Sequence, residues 1–254
     1  MLLLSVLVLI FAAAAGQQQP DPVQIMEKGR DLTMVAALKS TMTLTIYEKN
    51  GVTRVRTLSM VSKTTGGTEK RLVRFIEPAD VRGTAMLIID NEDAQDEMWI
   101  YLPALKKTRR IVSTEKGKSF MSSEFSNADM TTATLSDFKI SHMPLSGTGD
   151  SWIIESKPVT EEKAEEYGYG RKVTYLGKKD LKISKIEYYN YDDTLYRIIE
   201  ILASRPVADG GGYIMTEMVA KNLMNGRSSR IVYNEVNTTA NIPENTFVVE
   251  NLAR

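Results

Sequence analysis

Arg74-Phe75-Ile76-Glu77-Pro78-Ala79-Asp80-Val81-Arg82-Gly83-Thr84-Ala85-Met86-Leu87-Ile88-Ile89-Asp90 opens the stretch, running on to Met130, whose reading decides the fold. Pro78 ends one extended run, and Val81-Arg82-Gly83 leads into the next. Met86-Leu87-Ile88-Ile89 is apolar at both parities, which predicts a strand covered on both faces. Residues 97–102 alternate Met98, Ile100 and Leu102 with Trp99 and Tyr101. Pro103-Ala104 then turns into a strand over 106–112. Residues 117–138 lose the alternation, and Met121, Phe125, Met130, Leu135 and Phe138 predict short helical turns inside a long connection.

Before this stretch, Asp21 as N-cap and Pro22 at the first helical position start an amphipathic helix over 22–38. Thr41-Met42-Thr43-Leu44-Thr45-Ile46-Tyr47 then alternates threonine with apolar residues, a period-two strand. Asn50-Gly51 is a hairpin signal, so 41–47, 53–62 and 70–77 read as an antiparallel meander. After it come strand patterns at 151–157, 171–176, 182–191, 194–204, 213–223 and 227–237, with a short run at 247–249. Turn signals at this spacing predict a mainly β fold of about 11 strands. Excess apolar and aromatic residues of opposite parity, with 13 methionines, suit either a curved sheet with a lined concave face or two stacked sheets.

Composition is ordinary for a globular chain of 254 residues, 43% hydrophobic and 25% charged. Lys+Arg and Asp+Glu are both 32, so no global charge draws the chain to nucleic acid, and no such partner is expected. Residues 1–19 read as a secretory signal peptide: an apolar run from Leu2 to Phe11, then Ala13-x-Ala15. Residues 20–254 are then a single domain, exported to a periplasm. The chain has no cysteine, so it is expected to stand without disulfides on its core alone.

No catalytic residue is expected. The single histidine, His142, has no recognisable nucleophile motif around it, and zinc is disfavoured without cysteine or a second histidine. The acidic run of Asp90, Glu92, Asp93, Asp96 and Glu97 lacks the calcium-loop spacing. No metal and no cofactor are expected. Lys106, Lys107, Arg109 and Arg110 form the densest basic run, suited to docking a partner or a head group, or to protecting a sheet edge.

Phe75-x-x-Pro78, Arg82-Gly83-Thr84, Trp99-x-Tyr101-x-Pro103, Lys107-x-Arg109-Arg110 and Ser119-Phe120-Met121 with Asp129-Met130 resemble the outer-membrane lipoprotein-sorting (LolA-like) family. The similarity is to the branch found beside resistance-nodulation type transporters, and it covers 68–135 best, with Asn245-Thr246-Phe247 at the end. It implies a curved antiparallel sheet forming an incomplete barrel, covered by a few short helices over a hydrophobic cavity. The implied function is non-enzymatic: a periplasmic carrier or binding protein sheltering lipoprotein acyl chains or other lipids. Met42, Leu44, Ile46, Met86, Ile88, Trp99, Tyr101, Phe120 and Met121 are the expected cavity residues. An inner-membrane transporter and an outer-membrane receptor are the implied partners. The alternative is an envelope sensor or adaptor that uses the same fold to bind a transporter or regulator. The chain departs from the family at Ser122 and Glu124, where glycine and aspartate are usual, and the arginine that ties down the family's lid is open among Arg54, Arg56 and Arg74.

Overall fold

In a computed structural model, residues 19–91, 95–207 and 212–253 are described. The expected signal peptide falls outside them except for Gln19, as do Glu92 and Asp93 of the acidic run. The chain begins with helix α1 (Pro22–Asp31), where the Asp21 side chain accepts from the Val23 amide and Lys28 and Arg30 occupy the last turn. The expected helix to 38 stops early because the period-two pattern already holds from Leu38 through Ser40, Met42, Leu44 and Ile46, all buried on one face. These residues belong to β1 (Ala37–Tyr47).

Five strands follow by hairpin connections: β2 (Thr53–Thr65), β3 (Thr68–Glu77), β4 (Ala85–Asn91), β5 (Glu97–Leu102) and β6 (Lys107–Ile111). After the long connection 112–137 come β7 (Phe138–His142), β8 (Ser151–Pro158), helix α2 (Glu161–Tyr167) and β9 (Arg171–Gly177). The chain then returns through β10 (Ile183–Tyr189), β11 (Leu195–Pro206), β12 (Tyr213–Asn222) and β13 (Ser228–Asn237). All thirteen form one antiparallel sheet, ordered β6-β5-β4-β3-β2-β1-β13-β12-β11-β10-β9-β8-β7. The count exceeds the expected 11, and the expected run at 247–249 is not a strand: the tail from Val249 is a 3-10 turn. The long connection gives up its last residue, Phe138, to β7 (Phe138–His142), a strand too short to declare a period of two.

Topology places β6 and β7 at the two edges, unpaired with each other, so the sheet is curved and open. Each face buries its own cluster. On the inner face Leu44, Ile46, Leu58, Met60, Val73, Phe75, Met86, Ile88 and Met98 pack with Phe120 and Phe125 of the connection. On the outer face Ala85 and Leu87, with Trp99 and Tyr101, pack beneath Ile242, Phe247 and Leu252 of the C-terminal segment. This explains the doubly apolar β4. Arg74 fixes the cover by donating to the carbonyls of Asn251 and Leu252, each at 3.1 Å.

The connection 112–137 starts and finishes at α2. Lys116 Nζ is buried between Asp96 (3.0 Å) and Glu166 (2.7 Å). At the other end Asp137 accepts from the Tyr167 hydroxyl at 2.8 Å and pairs with Lys163 at 3.0 Å. Gly117 and Gly168, the latter at φ 77°, meet backbone to backbone, and a Cβ on Gly117 would lie 2.7 Å from the Gly168 Cα. With its base clamped there, the connection is free to cross the inner face.

Candidate functional site: a cavity under the crossing segment

Between the inner face and the crossing segment lies a cavity of about 300 Å³. That is the lower end of the ~300–1,000 Å³ range of small-molecule pockets. Its lining comes from α1 and the turn after it (Met26, Met34, Val35), from β1 to β3, from β9 to β13, and from the crossing segment itself. Met42, Leu44 and Phe120 of the expected set are on this lining. Ile46, Met86 and Ile88 are buried in the inner cluster but off the lining, and Met121 is partly buried against that cluster. Trp99 and Tyr101 are corrected: their strand parity turns them to the outer face, under the C-terminal segment. Their alternation with Met98 and Ile100 was visible, but parity alone did not say which set faces inward.

Most of the lining comes from residues that sequence reasoning did not pick. Tyr167, Tyr169, Tyr188, Ile199, Met218, Ile231 and Tyr233 lie on the second half of the chain, and the order β1-β13-β12 folds them against the first half. The available signal was the unusual density of tyrosine and isoleucine in 183–201.

The crossing segment is held by arginines. Arg197 Nη1 donates to the Glu124 carbonyl at 3.0 Å and forms a buried ion pair with Asp129, while its guanidinium lies 4.0 Å from the Tyr188 ring centroid. Asp129 also accepts from the Ser126 amide (2.7 Å) and the Tyr188 hydroxyl (2.9 Å). Burial pushes the Asp129 carboxyl up, but Arg197 and the Ser126 bonds outweigh it and hold it below the usual carboxylate range. Arg71, paired with Glu69 at 2.7 Å, donates to the Met130 carbonyl at 2.6 Å. Arg227 donates to the Ser122 carbonyl at 2.8 Å and pairs with Glu124 at 2.8 Å. Of the three arginines left open, Arg56 donates to the Met121 carbonyl, Arg54 pairs with Glu48 on the surface, and Arg74 serves the outer face. Ser122, one of the two departures from the family, sits at φ 62°, a left-handed conformation that favours glycine.

Two more side chains complete the surroundings. Asp90 lies beneath the segment and accepts from the Thr132 amide at 2.5 Å. Burial pushes its carboxyl up to about 6, opposed by the Thr132 bond and aided by Asp96. His142 is away from the cavity: Nε2 donates to the Pro20 carbonyl and Nδ1 accepts from the Ser146 hydroxyl, both at 2.8 Å. Ser146 is fully buried, so this pair fastens the chain before α1 and offers no nucleophile to a substrate. Among the described residues no group of three or more His, Cys, Asp or Glu is set to hold a metal. None of the described helices is long and apolar enough to cross a membrane. The basic run Lys106, Lys107, Arg109 and Arg110 is exposed on and beside edge strand β6, with Arg109 paired to Glu115 at 2.7 Å.

A family model described as an uncharacterized protein family matches residues 67–254. The chain belongs to that family. Its fold is LolA-like. A solved outer membrane lipoprotein-sorting protein domain from Vibrio parahaemolyticus superposes with a TM-score of 0.83 at 24% identity, covering 92% of this chain and 98% of that one. A DUF1329 family protein from Desulfovibrio piger gives 0.80 at 24%, covering 91% and 99%. A LolA superfamily protein from Nitrosomonas europaea gives 0.68 at 16%, covering 89% and 97%. No curated protein matches the sequence.

Arg197→Met leaves Asp129 buried and unpaired, so it is expected to cost about 3–5 kcal/mol in urea unfolding. Arg197→Met combined with Asp129→Leu is expected to recover most of that loss, and additive losses would refute the coupling. Asp90 gives a second expectation. A carboxyl raised in the folded state keeps its proton where the unfolded one has lost it, so stability falls as pH rises from about 4 to about 6. Asp90→Asn is expected to flatten that slope and to stabilise by roughly 2 kcal/mol at pH 7, read by urea midpoints across pH.

Proposed function

We propose that the protein is a periplasmic carrier or binding protein that shelters the acyl chains of lipoproteins or other lipids beneath its crossing segment, by shielding and without catalysis. The observation that carries this reading is the apolar cavity between the inner face and a segment clamped at its base and pinned by arginines. The LolA-like fold supports it, and so does the description of the Vibrio parahaemolyticus relative as a lipoprotein-sorting domain. Each methylene moved from water to this lining is worth ~0.8 kcal/mol, so a single acyl chain supplies useful affinity. Loading and release follow from displacement of the crossing segment. An inner-membrane transporter, in the setting of the resistance-nodulation branch, and an outer-membrane receptor are the partners such a carrier needs.

Native mass spectrometry of the mature protein is expected to detect retained or added acyl compounds. Met218→Trp, which fills the cavity from β12, is expected to lower that load at least about tenfold, since one lost chain end of two methylenes is already worth that factor. An equal load on both proteins, or none on either, would reject the carrier reading.

The exposed basic edge favours a second reading, an envelope sensor or adaptor docking an acidic partner along β6. Under it, reversing Lys106, Lys107 and Arg110 to glutamate abolishes partner pull-down and leaves acyl uptake unchanged. If pull-down survives the reversal, the charges serve edge protection alone.

A further inference from the structure

Resting on the carrier reading, we infer that the cavity selects an anionic single-chain amphiphile, with the Lys172 ammonium as the partner of its carboxylate or phosphate head. Lys172 lines the cavity from β9, half-buried, among apolar and aromatic neighbours. Its Nζ makes no hydrogen bond or ion pair among the described residues. Its contacts are two aromatic faces, Phe138 at 5.1 Å and Tyr169 at 5.9 Å. The carboxylate whose charge acts on it, Asp129, is already engaged on both oxygens by Arg197, Tyr188 and the Ser126 amide. A cation enclosed in apolar surroundings without a counter-charge is costly unless something else supplies one.

A cation on the cavity lining that meets only aromatic faces suits an oxyanion. The lining also carries Arg30, Arg71 paired with Glu69, and Asp129 paired with Arg197, while its methionines, isoleucines and leucines suit the chain attached to the head. Lysine offers a point charge without the two-pronged geometry of arginine, so it accepts either head group.

The site also carries a pH signature. Burial pushes the Lys172 ammonium down to about 8, with Asp129 opposing and Arg197 adding to the shift. The other groups around it hold their charge state through that range: burial raises Tyr169 and Tyr188 well above the ordinary phenol, and Asp129 stays ionised beside Arg197.

The test is calorimetric titration of delipidated protein with laurate, dodecyl phosphate and dodecanol. At pH 7 at least one anion is expected to bind about tenfold or more tightly than dodecanol, the usual scale of a charged hydrogen bond. Lys172→Met is expected to bring the anions to the dodecanol level and leave dodecanol unchanged. Should the variant fail to fold, the wild type decides: anion affinity falls as pH rises through about 8, because the free ammonium is lost, while dodecanol stays flat. The preferred anion tells a fatty-acid head from a phosphate monoester. Dodecanol bound as well as both anions overturns this inference alone. If none of the three binds, the carrier reading falls with it.

Discussion

An open sheet cannot leave its inner face to water, and the way this chain covers that face governs the rest of the structure. The thirteen strands end at β6 and β7, which do not meet. The chain must travel between those edges, and the route across the inner face lets the same residues supply the missing cover. Phe120 and Phe125 give the crossing segment its apolar footing. A segment without regular strands or long helices also carries carbonyls into a buried place, and each needs a donor. The sheet supplies them as guanidinium groups: Arg56 to Met121, Arg227 to Ser122, Arg197 to Glu124 and Arg71 to Met130. Most of the irregular stretch is thus fixed by side chains from strands far away in sequence.

This division explains what could be read from the sequence. Strand periodicity, the doubly apolar Met86–Ile89 run and the connection after Gly117 are local patterns, and they were legible. The expected set also included three of the lining residues, Met42, Leu44 and Phe120. Parity assigns residues to two faces but does not name the inner one, and only the C-terminal segment that covers Trp99 and Tyr101 marks their face as the outer one. The second half of the lining depended on β13 pairing with β1, a contact across some 190 positions that no local pattern announces. The roles of Arg197 and Arg71 are not legible locally for a related reason. An arginine on a strand reads as a solvent-facing residue until a carbonyl or carboxylate from elsewhere is brought to it.

The two covers of the sheet differ in kind. Outside, the C-terminal segment lays Ile242, Phe247 and Leu252 directly on Ala85 and Leu87, with Arg74 holding its end. Inside, the cover rests on a few aromatic contacts and many polar ones, and beneath it sits a space rather than a close-packed layer. Protein interiors pack densely, and a cavity this large forgoes the contacts that its lining could have made. Retaining such a space is consistent with a tenant.

The polar anchorage also sets the energetics of opening. An arginine-to-carbonyl bond given up to water is worth about 1.5–3 kcal/mol net, because one partner is charged but water takes over both. The Arg197–Asp129 pair weighs more, since its ions are costly to part while buried but gain solvation together once the segment lifts. What remains is the apolar contact of Phe120 and Phe125 with the inner face. On the carrier reading proposed above, an acyl chain entering there would replace that contact with its own, methylene for ring carbon. The strands of the sheet need not change partners for the segment to move, since the bonds that hold it are made by side chains and not by the ladder.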